Sequence, residues 1–77
     1  MKFTTIIEQA GWNKKMVIAR IMAGLNQQEA AEKIGTSQAM VWAWEKGRNT
    51  PRVRSRKAIA RAYGVDYKEL FAGLMPE

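Results

Sequence analysis

Residues 25–47 have the sequence LNQQEAAEKIGTSQAMVWAWEKG, which contains the signals for two short helices joined by a tight turn. Asn26 and Ser37 are residue types that cap helix N-termini, and they predict helices over 27–34 and 38–46. Gly35 allows the backbone to bend sharply between them. Ala31 lies where the two helices would cross, and its small side chain permits a close approach. The stretch therefore predicts a helix-turn-helix.

The second helix of this pair is predicted to have two different faces. Val41 and Trp44 lie three residues apart and form its inward edge. The opposite face carries one charge and no acid, whereas a solvent-facing helix surface normally carries mixed charges. A face that enters the major groove of DNA needs short side chains, amides and tolerance for apolar contact. The residues with this composition are Gln38, Ala39, Trp42, Ala43 and Lys46.

Cationic residues are concentrated after this face. From residue 46 to residue 65 there are seven Lys and Arg residues and no Asp or Glu, in a chain whose net charge is +6. A run of charge is often no more than solvated surface. A run of one sign also fits a polyanion, because each neutralised phosphate releases condensed counterions. Charge alone leaves DNA, RNA and an anionic membrane open as partners.

The composition excludes several kinds of site. The 77 residues make one domain and contain no Cys and no His, so disulfides, thiolate metal sites and the commonest general base are all missing. We expect no metal, no cofactor and no enzymatic activity. The first twenty residues do not resemble a signal peptide, and no stretch approaches the roughly 20 apolar residues of a membrane span. The expected location is the cytoplasm.

Helical periodicity also covers the sequence on both sides of the motif. Asn13 predicts the cap of a helix over 14–23, Pro51 opens a helix that reaches Tyr63, and Asp66 caps a last helix over 67–71. No stretch alternates as a strand does, so the predicted fold class is all-α, a compact bundle of five to six short helices. The apolar residues expected to face inward are Val17, Ile18, Ile21 and Met22 in the first of these helices, and Ala58, Ile59, Ala62 and Tyr63 in the second.

The chain divides into three segments. The helix-turn-helix domain is predicted over 13–71, with an N-terminal helical extension over 1–12 and a tail over 72–77. The extension has an apolar face at helical spacing, which must be buried either against the domain or in a subunit interface. The sequence does not decide between the two. The residues of this face are Phe3, Ile6, Ile7 and Ala10, with Trp12.

Several spaced elements form a recognisable pattern: Leu25-Asn26-Gln27, Glu29, Ala31, Lys33, Gly35, Thr36, Gln38 and Trp44-Glu45-x-Gly47, followed by Pro51 and Ile59-Ala60. Together they resemble the phage repressor and Cro family of helix-turn-helix proteins, the XRE family, over residues 14–71. The resemblance implies a lambda-repressor-like domain whose helix over 38–46 lies in the major groove. Ala30 departs from the pattern, because a large aliphatic residue is usual there, and the N-terminal extension could fill the space. Arg56 stands at a normally apolar position.

The resemblance implies base contacts from the helix over 38–46. Gln38 would pair with an adenine edge through its amide. Ala39 and Ala43 match positions that reach bases, and as alanines they offer apolar contact, best suited to a thymine methyl group. Trp42 also departs from the family, which commonly has a polar residue there. Its direction away from Val41 favours contact with a sugar, a phosphate or a thymine methyl over packing in the core.

The resemblance also implies phosphate contacts. Gln27 matches a residue that holds a backbone phosphate and supports the amide at the Gln38 position. The loop after Gly47 corresponds to a segment that tracks the phosphate backbone, and Arg52 matches an arginine that leans toward a narrow minor groove. A solvated loop is the alternative, but every charge in the loop has the same sign. The full set of expected phosphate contacts is Gln27, Lys46, Arg48, Asn49, Thr50 and Arg52.

Arg20 and Glu45 match a recurrent ion pair that connects the first helix of these domains to the end of the recognition helix. The expected role is structural, since a partly buried pair would hold the recognition helix in position. Neither residue is expected to contact DNA.

The function that the resemblance implies is sequence-specific regulation of transcription, with the protein acting as a repressor and as a dimer on a palindromic operator. An antitoxin that binds its own operator and a toxin protein is the alternative. A helix-turn-helix used only for protein contact is a third possibility, disfavoured by the acid-free face. Family members dimerise near the C-terminal helix, here around residues that could equally be ordinary core: Tyr67, Leu70, Phe71, Leu74 and Met75.

Overall fold

The computed structural model describes residues 11–72 and Leu74, and within them it contains five helices and no strand. In this part of the chain the all-α prediction is confirmed. No described helix has the length and apolar character that crossing a membrane requires. The helices are α1 (Trp12–Met22), α2 (Gln27–Ile34), α3 (Gln38–Glu45), α4 (Val53–Tyr63) and α5 (Tyr67–Leu70).

The predicted caps of α2, α3 and α5 are confirmed. Asn26 forms a capping box with Glu29, in which each side chain accepts a hydrogen bond from the backbone N–H of the other residue. The Ser37 Oγ accepts from the Met40 N–H at 3.1 Å. Asp66 accepts from the third residue of α5 in the same way. Gly35 ends α2 with a φ of +89°, a left-handed conformation that turns the chain directly into α3.

The predicted start of α1 is wrong. The helix begins at Trp12, and Gly11 is its N-cap without a side-chain cap hydrogen bond. Asn13 does not cap the helix, because its amide donates instead to the Glu45 carbonyl at the end of α3. Trp12, which the sequence assigned to the extension, packs half-buried against the core. The other predictions for residues 1–12 and most of those for the tail lie outside the described residues.

The inward face predicted for α1 is also wrong in part. Ile21 and Met22 are 61% and 69% exposed, while the buried residues of α1 are Met16 and Ala19. The sequence is apolar at six of the seven positions from 16 to 22, so periodicity alone could not fix the rotation of the helix. The inward face of α1 consists of Trp12, Met16 and Ala19, which follow each other at helical spacing.

The core lies where α2 and α3 pack on α1 and α4, and α5 closes it. Val41, Trp44, Ile59 and Tyr63 are buried as predicted, together with the small residues Ala30 and Ala31 between α2 and its neighbours. Leu70 and Phe71, which the sequence offered either as a dimer contact or as core, are each only 4% exposed and belong to the core.

Arg56, at its normally apolar position, is buried on α4 and donates from Nε to the Pro51 carbonyl at 2.8 Å. The hydrogen bond helps to hold the loop before α4 against the helix.

Candidate nucleic-acid interface

The two faces predicted for α3 are present. Val41 is fully buried and Trp44 is 5% exposed. On the opposite side Gln38, Ala39 and Trp42 are exposed, and Ala43 is half-buried. Because the Ser37 cap starts the helix and the buried edge fixes its rotation, the polar and small residues of its first turns lie at the molecular surface.

A buried carboxylate at the end of α3 holds three elements together. Nε of Arg20 in α1 lies 2.7 Å from Oε2 of Glu45, and its Nη2 donates to Oε1 at 3.1 Å. Gln27, the first residue of α2, donates from Nε2 to the same Oε1 at 3.1 Å. The predicted pairing of Arg20 with Glu45 is thus observed, as a two-point contact. The hydrogen bond to Glu45 raises the pKa of Arg20 above its ordinary value.

Gln27 differs from the expectation in one respect. Its amide nitrogen donates to Glu45, and among the described residues it makes no hydrogen bond to Gln38. The start of α2 lies next to the C-terminal end of α3, so Gln27 is close to Glu45. The Glu45 carboxylate is also a stronger hydrogen-bond acceptor than the exposed amide of Gln38.

Asn13 connects α1 to the end of α3, a role that its place in the sequence did not indicate. Its Nδ2 donates to the Glu45 carbonyl oxygen at 3.2 Å, and a Cβ added at Gly47 would lie 3.4 Å from the same nitrogen. Asn13 and Glu45 are 32 residues apart. No local pattern connects them, so a capping role was the only one that the sequence suggested.

Trp42 and Arg48 form a stacked pair on the surface of α3. The guanidinium carbon of Arg48 lies over the indole, 5.0 Å from the ring centroid. Gly47, with a φ of +74°, reverses the chain after the helix. The Arg48 N–H then donates to the Ala43 carbonyl at 2.9 Å, which fixes the backbone from which the arginine side chain extends back along α3.

Two surface depressions flank this stacked pair and collect most of the predicted contact residues. One of about 660 Å³ adjoins the start of α2, and one of about 490 Å³ adjoins the loop before α4. The first is lined by Asn13, Lys14, Val17, Ile18, Gln27, Trp42, Glu45 and Lys46, and the second by Met40, Trp44, Arg48, Asn49, Thr50, Pro51, Arg52 and Ser55.

The charge at this surface has one sign. Glu45 is the single acid within residues 38–52, and it is buried and paired with Arg20. The charged side chains of this stretch that reach solvent are therefore all cationic: Lys46, Arg48 and Arg52. A surface of this kind attracts a polyanion and repels a basic protein.

The sequence profile of the helix-turn-helix family matches residues 18–70, well over half of the chain. The protein belongs to the XRE-type helix-turn-helix family. Members of this family are DNA-binding transcription regulators, and the family is not a class of enzymes.

Curated relatives carry the same assignment. This XRE-type protein is 34% identical over 59 residues to the cryptic phage CTXphi transcriptional repressor RstR of Vibrio cholerae, covering 77% of this chain and 53% of RstR. It spans only about half of the length of that relative. It is 32% identical over 57 residues to a helix-turn-helix-type transcriptional regulator of Methanocaldococcus jannaschii, covering 74% of this chain and 86% of the regulator.

A solved structure shares the fold of this XRE-type domain. The P22 c2 repressor, in complex with a synthetic operator, superimposes with a TM-score of 0.78 at 17% identity, over 84% of this chain and 98% of the repressor chain. The predicted lambda-repressor-like architecture is confirmed by this likeness.

Proposed function

We propose that this protein is a sequence-specific repressor that binds double-stranded DNA with α3 in the major groove. The observation that carries the proposal is the outer face of α3, which is exposed, free of acids and bordered by a loop whose charges are all positive. The name of RstR describes a transcriptional repressor, and the P22 c2 repressor was solved with an operator; both support the same direction of regulation.

Base contacts are assigned to the first turns of α3. Gln38 is exposed beside the N-cap, and its amide can both donate to and accept from an adenine edge. Ala39 is exposed and Ala43 is half-buried, so Ala39 offers the larger apolar contact to a thymine methyl group. Trp42 lies one turn after Gln38 on the same face, and its indole is 40% exposed although it is large and apolar. The exposed part of the ring can make apolar contact with a sugar or a thymine methyl group.

Phosphate contacts are assigned to both depressions beside α3. Gln27 uses one amide N–H on Glu45, and its second N–H is available to a phosphate oxygen. Lys46 lies in the same depression. Arg48, Asn49, Thr50 and Arg52 line the other one, where cationic and small polar side chains suit a sugar-phosphate backbone.

A dimer on a palindromic operator is part of the proposal. An eight-residue recognition helix reaches few base pairs, and two copies on half-sites about one helical turn apart would multiply both affinity and specificity. Because Leu70 and Phe71 are core residues, the dimer interface must use other parts of the surface. We place this activity in the cytoplasm, where the operator would be found.

Selection of bound duplexes from a random DNA pool tests the proposal. The expected result is an enriched sequence with two symmetric half-sites, together with a complex that contains two protein chains by analytical ultracentrifugation. A single asymmetric site would refute the dimer but not the DNA binding. If no sequence is enriched and no duplex is bound at low salt, the proposed function is wrong.

The antitoxin alternative requires a second protein partner. The segments that would supply its binding face, 1–12 and 72–77, lie largely outside the described residues, so nothing in the described part favours it. Purification of the tagged protein from its native host distinguishes the two. A stoichiometric protein partner that also changes operator binding would support the antitoxin.

A further inference from the structure

The stacked pair of Trp42 and Arg48 is not explained by packing or by ion pairing. Both residues are exposed, and neither contributes to the core. Among the described residues the Arg48 guanidinium makes no ion pair and no hydrogen bond; its contact is the indole at 5.0 Å. The pair therefore stands on the DNA-facing surface with its polar donors unused.

We propose that Trp42 and Arg48 act together as a base-reading unit that selects a guanine in the major groove. The proposal rests on the proposed DNA-binding function. It changes the role of Arg48, which the composition of the loop assigns to the phosphates. It also gives Trp42 a specific task, which is to hold the arginine within reach of the base edges.

The position of the guanidinium is the first argument. The Arg48 backbone lies beyond the end of α3, where it is fixed by the hydrogen bond to the Ala43 carbonyl. The indole brings the charged group back to the level of residue 42, one turn after Gln38. Residues 38 and 42 are separated by about 6 Å along the helix axis. Base pairs are about 3.4 Å apart, so the guanidinium lies within about two base pairs of the base that Gln38 contacts.

The chemistry of the stacked group is the second argument. The indole contacts the guanidinium through its π face, and none of the N–H donors of the Arg48 guanidinium makes a hydrogen bond among the described residues. Guanine presents O6 and N7 as two adjacent acceptors in the major groove, and an arginine edge matches them with two hydrogen bonds. The indole limits the rotamers that Arg48 adopts before binding, which reduces the entropy lost when these bonds form.

The surroundings of the pair are the third argument. Trp42 lines the depression next to Gln27 and Lys46, and Arg48 lines the one next to Asn49 and Arg52. The pair therefore lies between the two sets of residues to which phosphate contacts are assigned. Phosphate contacts fix the register and orientation of a protein on the duplex, and contacts on both sides would hold the pair against the base edges.

The test is selection from a random duplex pool with the wild type, Arg48→Lys and Trp42→Leu, compared with Arg61→Lys. Arg61 is an exposed arginine in the last turn of α4, outside the proposed interface. The wild type should select guanine within about two base pairs of the position that Gln38→Ala relaxes. Arg48→Lys and Trp42→Leu should each reduce this preference by about tenfold or more, since a bidentate pair is lost or loosened. Arg61→Lys should leave it unchanged.

The opposite results are equally clear. If Arg48→Lys and Trp42→Leu keep every base preference, and Arg48→Ala only flattens the salt dependence, Arg48 is a phosphate contact and the inference is wrong while the proposed function stands. If the wild type binds no duplex, both are wrong. Far-ultraviolet circular dichroism verifies that each variant is folded, which is expected because both side chains are exposed.

Discussion

Nε of Arg20 lies 2.7 Å from Oε2 of Glu45, so the first helix is joined directly to the last residue of the recognition helix. The two side chains are 13% and 5% exposed. Gln27 shares the same carboxylate, and Asn13 holds the carbonyl of the same residue. Glu45 is therefore the point at which α1 and the start of α2 fix where α3 ends.

Glu45→Gln should destabilise the fold by about 3 kcal/mol, the lower end of the range for breaking a buried ion pair, because Arg20 keeps some access to water. Urea denaturation measures the loss. Glu32→Gln is the matched control, since Glu32 is an exposed acid on α2. Equal stability of the two variants would show that the pair contributes little.

Ser37→Ala should lower the free energy of unfolding by about 1 kcal/mol, because it removes the side-chain acceptor for the Met40 N–H at the start of α3. Ser55→Ala, inside α4, is the control and should be neutral or slightly stabilising, since alanine is the better helix former. Thermal unfolding of both variants tests the comparison. A Ser37→Ala protein as stable as the wild type would mean that the cap is not needed.

Gln38→Ala should relax base preference at one operator position. The binding free energy for the operator with the preferred base should weaken by about 1–3 kcal/mol, while the affinity for random duplex should change little. The measurement is a set of binding titrations on operators mutated one position at a time. Uniform weakening on every sequence would assign Gln38 to the backbone or to folding instead of to a base.

Arg52→Ala should weaken binding to all sequences alike and reduce the slope of log affinity against log salt by about one. The side chain is exposed and makes no cap hydrogen bond at the start of α4, so the fold should be unaffected. Lys68→Ala removes an exposed cation from α5 as the control and should keep the wild-type slope. An unchanged slope for Arg52→Ala would exclude a phosphate contact.

Burial raises the pKa of Tyr63 to about 12, with a smaller contribution from the negative charge of Glu45. The ordinary value is 10.0, so the folded state holds this proton more tightly than the unfolded state does. The contribution of this raised pKa to the free energy of unfolding is fully present below pH 10 and is lost as the pH rises toward 12. Wild-type stability should therefore fall faster than that of Tyr63→Phe across this window.

Tyr67→Phe provides the direct measurement, because it leaves Tyr63 as the only tyrosine in the chain. Its ultraviolet titration should show a midpoint near 12. A midpoint at the ordinary value would mean that the hydroxyl reaches solvent. Tyr63→Phe should also be at least as stable as the wild type at neutral pH, since the buried hydroxyl has no hydrogen-bond partner among the residues that the structure describes.

Local signals in the sequence were sufficient for the helix-turn-helix. The caps at Asn26 and Ser37 and the turn at Gly35 involve partners within five residues, so neighbouring side chains carry the information. The inward edge of α3 at Val41 and Trp44 follows from helical spacing. The pair of Arg20 and Glu45 was predicted from the family resemblance, and its partners are 25 residues apart.

Tertiary packing alone decided the rotation of α1, the use of Asn13 on the Glu45 carbonyl, the burial of Leu70 and Phe71, and the stacking of Arg48 on Trp42. In α1 the sequence is apolar on nearly every side, so only the shape of the neighbouring helices selects which side is buried. The other three depend on where separate elements or an irregular turn meet in space, and a periodic pattern holds no information about such meetings.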